Sequence, residues 1–249
     1  MLKDNFLTPR DHISQTENTA DFKHSYQAGS HAFAGGQSAQ GYASHRLNLA
    51  WFSFALGVKD PYTEAHARRV AAYAGRLAIK MNLTAEEIDN IWLAGLLHDI
   101  GKIALNEGIF RNTGAHLTKA MQAEVHRHPF IGTSILRQFH FPRAVQKYVY
   151  CHHERVDGNG YPRGLMASEI PLGAKIISAV DCFDAMTTDR PYQNRKSATQ
   201  ALAVLRQISG TCLCPEIVRI LSEDILEHGP IIMSPRNSHE FQFTSLLHT

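Results

Sequence analysis

Apolar residues recur at intervals of three and four along much of this chain, the spacing that places them on one face of an α-helix. In residues 63–81 (TEAHARRVAAYAGRLAIKM) the apolar positions are 70, 73, 74, 77 and 78. The same pattern predicts helices at about 118–127, 129–139, 142–153, 172–187, 197–209 and 215–227, and prolines at 129, 142, 171 and 215 fall near the expected N-termini. No stretch alternates as a β-strand does, so we predict an all-α fold.

Two further helices carry recognisable end signals. The apolar segment 46–57 (RLNLAWFSFALG) is predicted to be a helix that Gly57 ends. Thr84 precedes the segment that runs to residue 98, and Glu87 stands three positions later. This spacing is typical of a capping box, in which each side chain binds the other residue's backbone amide.

Composition divides the chain into three segments. Residues 1–43 are polar and rich in Gly, Ser, Gln and Ala, which bury little apolar surface, so we expect a flexible arm. Residues 44–228 carry the helical periodicity and are expected to form one domain. Residues 229–249, which begin at Gly229-Pro230, are expected to form a loose tail.

Charge and cysteine content exclude several classes of protein. With 25 basic and 23 acidic residues the net charge is +2, which argues against a nucleic-acid polymer as partner and against a polybasic membrane anchor. Four cysteines in 249 residues do not form a disulfide framework. The first residues lack an apolar leader and no apolar stretch is long enough to span a membrane, so we expect a cytoplasmic protein.

The 15 histidines are the anomaly of the composition, because histidine is the commonest side-chain metal ligand. Asp99 follows His98 at the end of an apolar helix, and Asp181 is embedded in IISAVDCFDAM, so both carboxylates are expected to be buried. Burying a carboxylate is costly unless it is paired or binds a metal. Further histidines end other predicted helices, in HRHP at 126–129 and HH at 152–153. Together these residues predict a metal site.

Six stretches, in this order, resemble the HD-GYP branch of the HD phosphohydrolases over about residues 58–221. They are DPYTEAHARRVA, LLHDIGKI, LTKAMQAEVHRHPFIGTSIL, HHERVDGNGYPRGL, EIPLGAKIISAVDCFDAMTTDRPY and ALAVLRQISGTCLCPEIV. The HD pair alone is weak evidence, whereas HD, HH-E and G-Y-P in sequence are specific. The resemblance implies an HD-domain helical bundle extended by the C-terminal HD-GYP helices.

The resemblance also implies a binuclear metal centre. Asp99 would bridge the two ions, and His152 and His153 would bind different ions. A set of imidazoles and carboxylates without thiolate suits iron or manganese. Glu64 lies two residues before His66 and so on another side of the helix, which is why no third metal is expected. The implied ligands are His66, His98, Asp99, His128, His152, His153 and Asp181.

Other residues of the matching stretches receive roles in catalysis and binding. Asp99 and Lys102 are expected to act in catalysis, and Lys102 would also offer its charge to phosphate oxygens. Asp184, one turn after Asp181, is expected to orient a ligand or the nucleophile. Tyr161 is expected to stack on or hydrogen-bond the substrate, and Arg190 to bind a second phosphate or a guanine edge.

Residues beside these motifs receive plainer interpretations. His126 is expected to be solvent-exposed, and Glu154 either to support a metal ligand or to hold the turn that follows it. Gln193 stands where the family has a basic residue, which weakens the case for a second phosphate contact. The family's FDP is LCP at 213–215, so a helix N-cap aspartate is expected to be missing there, at a cost of about 1 kcal/mol.

The implied activity is metal-dependent hydrolysis of a cyclic dinucleotide. In such enzymes two cations about 3.5–4 Å apart activate a hydroxide that attacks phosphorus. Cyclic di-GMP is the expected substrate, giving linear pGpG and, with further cleavage, GMP; cyclic GMP-AMP is not excluded. The alternative is a module that senses the dinucleotide or docks a partner without turnover. A diguanylate cyclase is a candidate partner, suggested by the family alone.

Overall fold

The computed structural model describes residues 61–110, 118–189 and 195–231, with the side chains of residues 61, 62, 107 and 110 excepted. The predicted arm at 1–43, the predicted helix at 46–57 and most of the tail lie outside these ranges. So do Arg190 and Gln193, so their predicted roles are not addressed by the fold.

Helices account for most of the described chain, and between them lie turns with two isolated β-bridges, which confirms the predicted all-α class. The α-helices are α1 (Pro61–Lys80), α2 (Ala85–Leu97), α3 (Glu107–Phe110), α4 (Lys119–Val125), α5 (His128–Gln138), α6 (Arg143–Cys151), α7 (Leu172–Thr187), α8 (Ala198–Gln207) and α9 (Pro215–His228), with a 3₁₀ helix at Ile100–Ala104 after α2. Within the described residues, no helix is long and apolar enough to cross a bilayer.

The ends of the helices follow the sequence signals. Thr84 caps α2, and its hydroxyl and the Glu87 carboxylate form the predicted capping box. Pro142 and Pro171 occupy the N-cap positions of α6 and α7. Cys214 is the N-cap of α9 and makes no side-chain capping bond, which places the missing cap at the predicted position.

Helix α7 lies at the centre of the hydrophobic core, against α1, α2, α8 and α9. Its side chains Ile176, Ile177, Val180 and Phe183 are fully buried, as expected of a helix that is apolar on several faces. Phe183 packs edge-on against Tyr73 of α1, with ring centroids 5.5 Å apart. The core therefore fixes α7 next to α1.

Two close backbone crossings determine where the helix ends meet. A Cβ atom on Gly95 of α2 would lie 3.0 Å from the Cα atom of Ala71 in α1, so these helices cross tightly. A Cβ atom on Gly101 would lie only 2.0 Å from the carbonyl oxygen of His128, at the start of α5. These crossings need glycine, and they bring the end of α2 against both α1 and α5.

Candidate metal centre

Seven polar side chains converge where α1, α2, α5, α6 and α7 meet. Each residue offers one ligand atom to one of two groups, and within a group these atoms lie within 4.8 Å of one another. The larger group, here called group A, is Asp99, His128, His152 and His153; the smaller, group B, is His66, His98 and Asp181. The structure thus brings together all seven side chains that the sequence predicted as ligands.

The helix ends supply most of these side chains. His98 and Asp99 directly follow the last residue of α2, and His152 and His153 directly follow α6. His128 is the first residue of α5. An imidazole at a helix end extends past the last turn, so side chains from separate helices can reach one point.

Asp99 lies between the two groups. Its Oδ2 atom is 3.3 Å from Nε2 of His98 in group B, and its Oδ1 atom is 3.4 Å from Nε2 of His128 in group A. The ring of His98 is also close to the rings of His66 and His152, with centroids 5.3 Å and 5.2 Å away. This position is compatible with the bridging role that the family resemblance implies for Asp99.

Two other details differ from expectation. His152 and His153 both belong to group A, with ring centroids 4.0 Å apart, so their predicted assignment to different ions stays a prediction. Asp181 keeps 19% of its side-chain area exposed and so is less buried than its apolar sequence context indicates. The Asp181 carboxylate is therefore accessible to solvent in part.

Two buried atoms of the centre have no hydrogen-bond partner within the described part of the chain: Nε2 of His98 and Oδ1 of Asp99. Their residues are 0% and 3% exposed. Leaving such atoms unpaired costs free energy of roughly 1–3 kcal/mol each. A nitrogen lone pair and a carboxylate oxygen that face the same space are the donors a divalent cation requires, so the residues fit a metal.

Backbone carbonyls fix the orientation of three of the imidazoles. The Nδ1 atom of His98 lies 2.7 Å from the carbonyl oxygen of Gly95, and that of His152 lies 2.7 Å from that of Val149. His128 makes the same contact with Val125, at 2.6 Å. Because a carbonyl oxygen accepts only, each Nδ1 carries the proton and each Nε2 lone pair is directed into the centre.

The electrostatics of group A keep its imidazoles neutral at pH 7. Burial lowers the pKa of His128 to about 4, although the charge of Asp99 opposes the shift. Burial likewise lowers the pKa of His153 to about 3, and holds the pKa of His152 well below its usual value. Neutral imidazoles have a lone pair available, which metal binding requires.

For Asp99 and His66 the surroundings favour the charged form: the pKa of the acid is lowered and that of the imidazole is raised. Burial raises the pKa of Asp99, but the ammonium group of Lys102 and the adjacent imidazole of His98 outweigh it and hold the pKa well below the usual value. Burial lowers the pKa of His66, while hydrogen bonds to Asp181 and Asp184 raise it more, to about 9. Group B therefore combines a basic imidazole, His66, with one ionised carboxylate, Asp181.

Lys102 and Asp184 lie beside the ligands, as the sequence predicted. The Nζ atom of Lys102 is 2.6 Å from Oδ2 of Asp99, and 29% of its side chain is exposed. Asp184 is 1% exposed, and its Oδ2 atom lies 2.7 Å from Nδ1 of His66. Asp184 also accepts hydrogen bonds from Arg69, which the sequence interpretation missed. The available signal was its position one turn after the predicted ligand His66 in α1.

Tyr161 stands in a stack of rings beside group A. It lies nearly parallel to His126, with centroids 3.9 Å apart, and to His153, with centroids 4.7 Å apart. The two histidines make no ring contact with each other within the described residues, so they cover opposite faces of the tyrosine. His126 is exposed, as expected, but its contact with Tyr161 was not foreseen. The stack leaves the Tyr161 hydroxyl, not a ring face, for a substrate.

Glu154 holds the turn that presents Tyr161. It is 3% exposed, and its two carboxylate oxygens accept hydrogen bonds from the amides of Arg163 and Leu165, at 2.7 and 2.9 Å. A Cβ atom on Gly160 would lie 2.3 Å from the amide nitrogen of Arg155, so this turn folds back tightly on itself. The structural role predicted for Glu154 is confirmed.

Glu64 is paired away from the ligands. Its Oε1 atom lies 2.7 Å from Nη2 of Arg68, one turn further along α1, and it belongs to neither group.

The chain matches a family model described as HD domain over residues 53–217. It is 35% identical over 174 residues to 3'3'-cGAMP-specific phosphodiesterase 3 of Vibrio cholerae, covering 69% of this chain and 37% of that protein. It is 37% identical over 162 residues to a cyclic di-GMP phosphodiesterase of Thermotoga maritima, covering 64% of this chain and 44% of that protein. The chain thus spans less than half the length of these curated relatives.

A solved structure supports the fold. An HDG"Y"P protein from Bdellovibrio bacteriovorus superposes with a TM-score of 0.54 at 23% identity, covering 65% of this chain and 51% of that one. At this level of identity the likeness concerns the arrangement of helices, and it agrees with the HD-GYP resemblance of the sequence motifs.

Proposed function

The chain belongs to the HD domain family, and from that premise we propose that groups A and B form the active site of a metal-dependent phosphodiesterase that hydrolyses a cyclic dinucleotide. The main support for this proposal is that five imidazoles and two carboxylates, distant in sequence, converge on one centre. The names of the two curated relatives support the substrate class. We favour cyclic di-GMP, with linear pGpG as product and GMP where cleavage continues.

We propose two divalent ions, one for each group, with Asp99 between them. In this proposal His152 and His153 bind the same ion, in place of the different ions that the family resemblance implies. The ligand atoms are nitrogen and oxygen without thiolate, which supports iron or manganese. Bound ions would supply Lewis-acid charge to the scissile phosphate and lower the pKa of the attacking water. The buried, unpaired His98 Nε2 and Asp99 Oδ1 atoms support the placement of cations between the groups.

The surrounding side chains act on the substrate's charge and position. Lys102, partly exposed beside Asp99, directs its ammonium group toward the space where phosphate oxygens gain negative charge in the transition state. Burial raises the pKa of Tyr161, so its hydroxyl keeps its proton and can donate a hydrogen bond to the phosphate. Asp184 fixes the orientation of the His66 imidazole through a hydrogen bond to its Nδ1 atom. Arg190 is retained as a candidate contact for a second phosphate or a guanine edge.

Anaerobic turnover tests the proposal. Wild-type protein and Asp99→Ala are each incubated with Fe(II) or Mn(II) and with cyclic di-GMP or cyclic GMP-AMP, and products are separated by chromatography. A linear dinucleotide from wild type, absent with Asp99→Ala, is the expected result. The ratio of the wild-type rates with cyclic di-GMP and cyclic GMP-AMP gives the substrate preference. No product with either metal would refute the phosphodiesterase.

The non-catalytic alternative is disfavoured because a sensor has no need of a full ligand set. Dinucleotide affinity without turnover, in protein that holds metal, would revive it. A diguanylate cyclase partner remains a proposal from the family resemblance, and a pull-down that finds no cyclase would count against it.

A further inference from the structure

The Nδ1 atom of His66 has a different kind of hydrogen-bond partner from the Nδ1 atoms of His98, His128 and His152. Those three imidazoles donate to backbone carbonyls three residues earlier, which are neutral acceptors fixed by their own helices. His66 instead donates to the carboxylate of Asp184, which lies 118 residues away in the chain. A carboxylate acceptor makes an imidazole a stronger electron donor to a metal than a carbonyl does.

This carboxylate is itself held by an arginine. Nε of Arg69 lies 2.7 Å from Oδ1 of Asp184, and Nη2 lies 3.0 Å from Oδ2. The two contacts form a parallel fork, the geometry in which arginine fixes a carboxylate plane. Arg69 is 11% exposed and Asp184 is 1% exposed, so water competes little for either group.

Oδ2 of Asp184 therefore receives one hydrogen bond from Arg69 and one from His66, and the imidazole cannot rotate without losing its bond. With Nδ1 engaged on this side, Nε2 of His66 faces the centre and lies 3.2 Å from Oδ1 of Asp181. Both nitrogen positions, and so the orientation of one ligand of group B, depend on the plane that Arg69 fixes.

We infer that Arg69 is a positioning residue which, through Asp184 and His66, sets the metal affinity of group B separately from that of group A. Group A contains none of these three residues, and the Nδ1 atoms of its His128 and His152 donate to backbone carbonyls, not to a carboxylate. The inference rests on the metal centre of the proposed function and adds a specific support for one of its two sites.

A second arginine of α1 provides a matched control. Arg76 binds Asp224 through Nε and Nη2, at 2.7 and 2.6 Å, and is 17% exposed, while Asp224 is 1% exposed. This pair also joins α1 to a distant helix, but it touches no residue of either group. Arg69→Met and Arg76→Met thus each remove a largely buried arginine–aspartate pair from one helix.

The experiment is a calorimetric titration of metal-free protein with Mn(II) under anaerobic conditions, with thermal unfolding measured in parallel. Both methionine variants are expected to unfold at lower temperature. Arg69→Met should weaken one of two Mn(II) binding steps and leave the other unchanged. The expected loss of affinity is about 10–100-fold, as is usual when a residue that supports a metal ligand is replaced. Arg76→Met should leave both steps unchanged.

Further variants control for misfolding and test whether Arg69 acts through Asp184. Arg69→Lys keeps a cation with a single donor group and is expected to restore part of the affinity. Asp184→Asn should weaken the same step, and the double variant Arg69→Met/Asp184→Asn should be no weaker than Asp184→Asn alone, because the arginine acts through the aspartate.

Each result has a defined meaning. Equal Mn(II) binding by wild type and Arg69→Met would overturn the inference, and so would an equal loss at both steps. If the losses of Mn(II) affinity were additive in the double variant, Arg69 would not act through Asp184. If wild type itself binds no Mn(II), the metal centre fails, and that result is distinct from a failure of Arg69 alone.

Discussion

Replacing Gly101 with alanine should separate the end of α2 from the start of α5, the two segments that carry Asp99 and His128 of group A. The new Cβ atom would lie 2.0 Å from the carbonyl oxygen of His128 and 2.6 Å from the amide nitrogen of Gly132. Real Cβ contacts do not fall below 3.0 Å, and both obstacles are backbone atoms that cannot rotate away. The two segments must therefore move apart by about 1 Å or more.

That movement is large compared with the tolerance of the site. Asp99, two residues before Gly101, lies 3.4 Å from Nε2 of His128 through Oδ1, so a shift of this size changes the distance between two ligands of one group. Overpacking of this kind costs about 1–3 kcal/mol of stability. A displacement of about 1 Å at a reacting centre costs on the order of 100-fold in rate. We expect both losses, together with reduced metal content.

Other glycines of the chain calibrate the effect. At Gly108, which is exposed, a Cβ atom would meet the Asn106 side chain at 3.2 Å, so Gly108→Ala should be nearly neutral. At Gly132 the nearest atoms lie 3.2–3.4 Å away, so Gly132→Ala should fall between the two. Urea denaturation, metal analysis and phosphodiesterase turnover give the three measurements. If Gly101→Ala retained wild-type stability and metal content, the tight crossing could not be what assembles group A.

Three further changes have defined outcomes. Cys214→Asp should supply the missing cap of α9 and raise the free energy of unfolding by about 1 kcal/mol without changing turnover; an unchanged urea midpoint would contradict this. Glu154→Gln should lower that free energy by about 1–3 kcal/mol, because an amide accepts through one oxygen where the carboxylate accepts through two, and a loss under 0.5 kcal/mol would count against the turn contact. His126→Ala should raise KM by about 2–10-fold with little change in kcat, because Tyr161 loses one of its two covering rings, whereas His126→Phe should retain wild-type KM. Equal KM values for all three proteins would remove the stack from substrate binding.

Much of the helical framework follows from local sequence signals. Helix periods, proline positions and the Thr84–Glu87 box depend on residues within a few positions of each other, and the structure reproduces them. The absent cap at Cys214 was likewise visible as one altered residue in a motif. Such features depend little on how distant segments pack.

The ligand set was accessible for a different reason. Motifs such as HD and HH-E fix residue types that chemistry requires, so the seven side chains could be named before their separations were known. How these side chains divide into two groups could not be predicted from the sequence. Which imidazole shares a group with which depends on the crossings at Gly95 and Gly101, and the sequence does not show that these glycines face backbone atoms.

Contacts between distant segments were the main omission. Arg69 and Asp184 are separated by 115 residues, and nothing in either local pattern pairs them. The stack of His126 on Tyr161 joins the end of α4 to a turn after α6, so helical spacing predicted only the exposure of the histidine. Side chains of this kind become functional candidates once tertiary packing is known.

Anomalous scattering from crystals grown with Mn(II) would test the central claim most directly. Two peaks about 3.5–4 Å apart are predicted, one contacted by group A and one by group B, with Asp99 between them. Peaks elsewhere in the molecule, or none among these seven side chains, would contradict the assignment of this cluster as a metal centre.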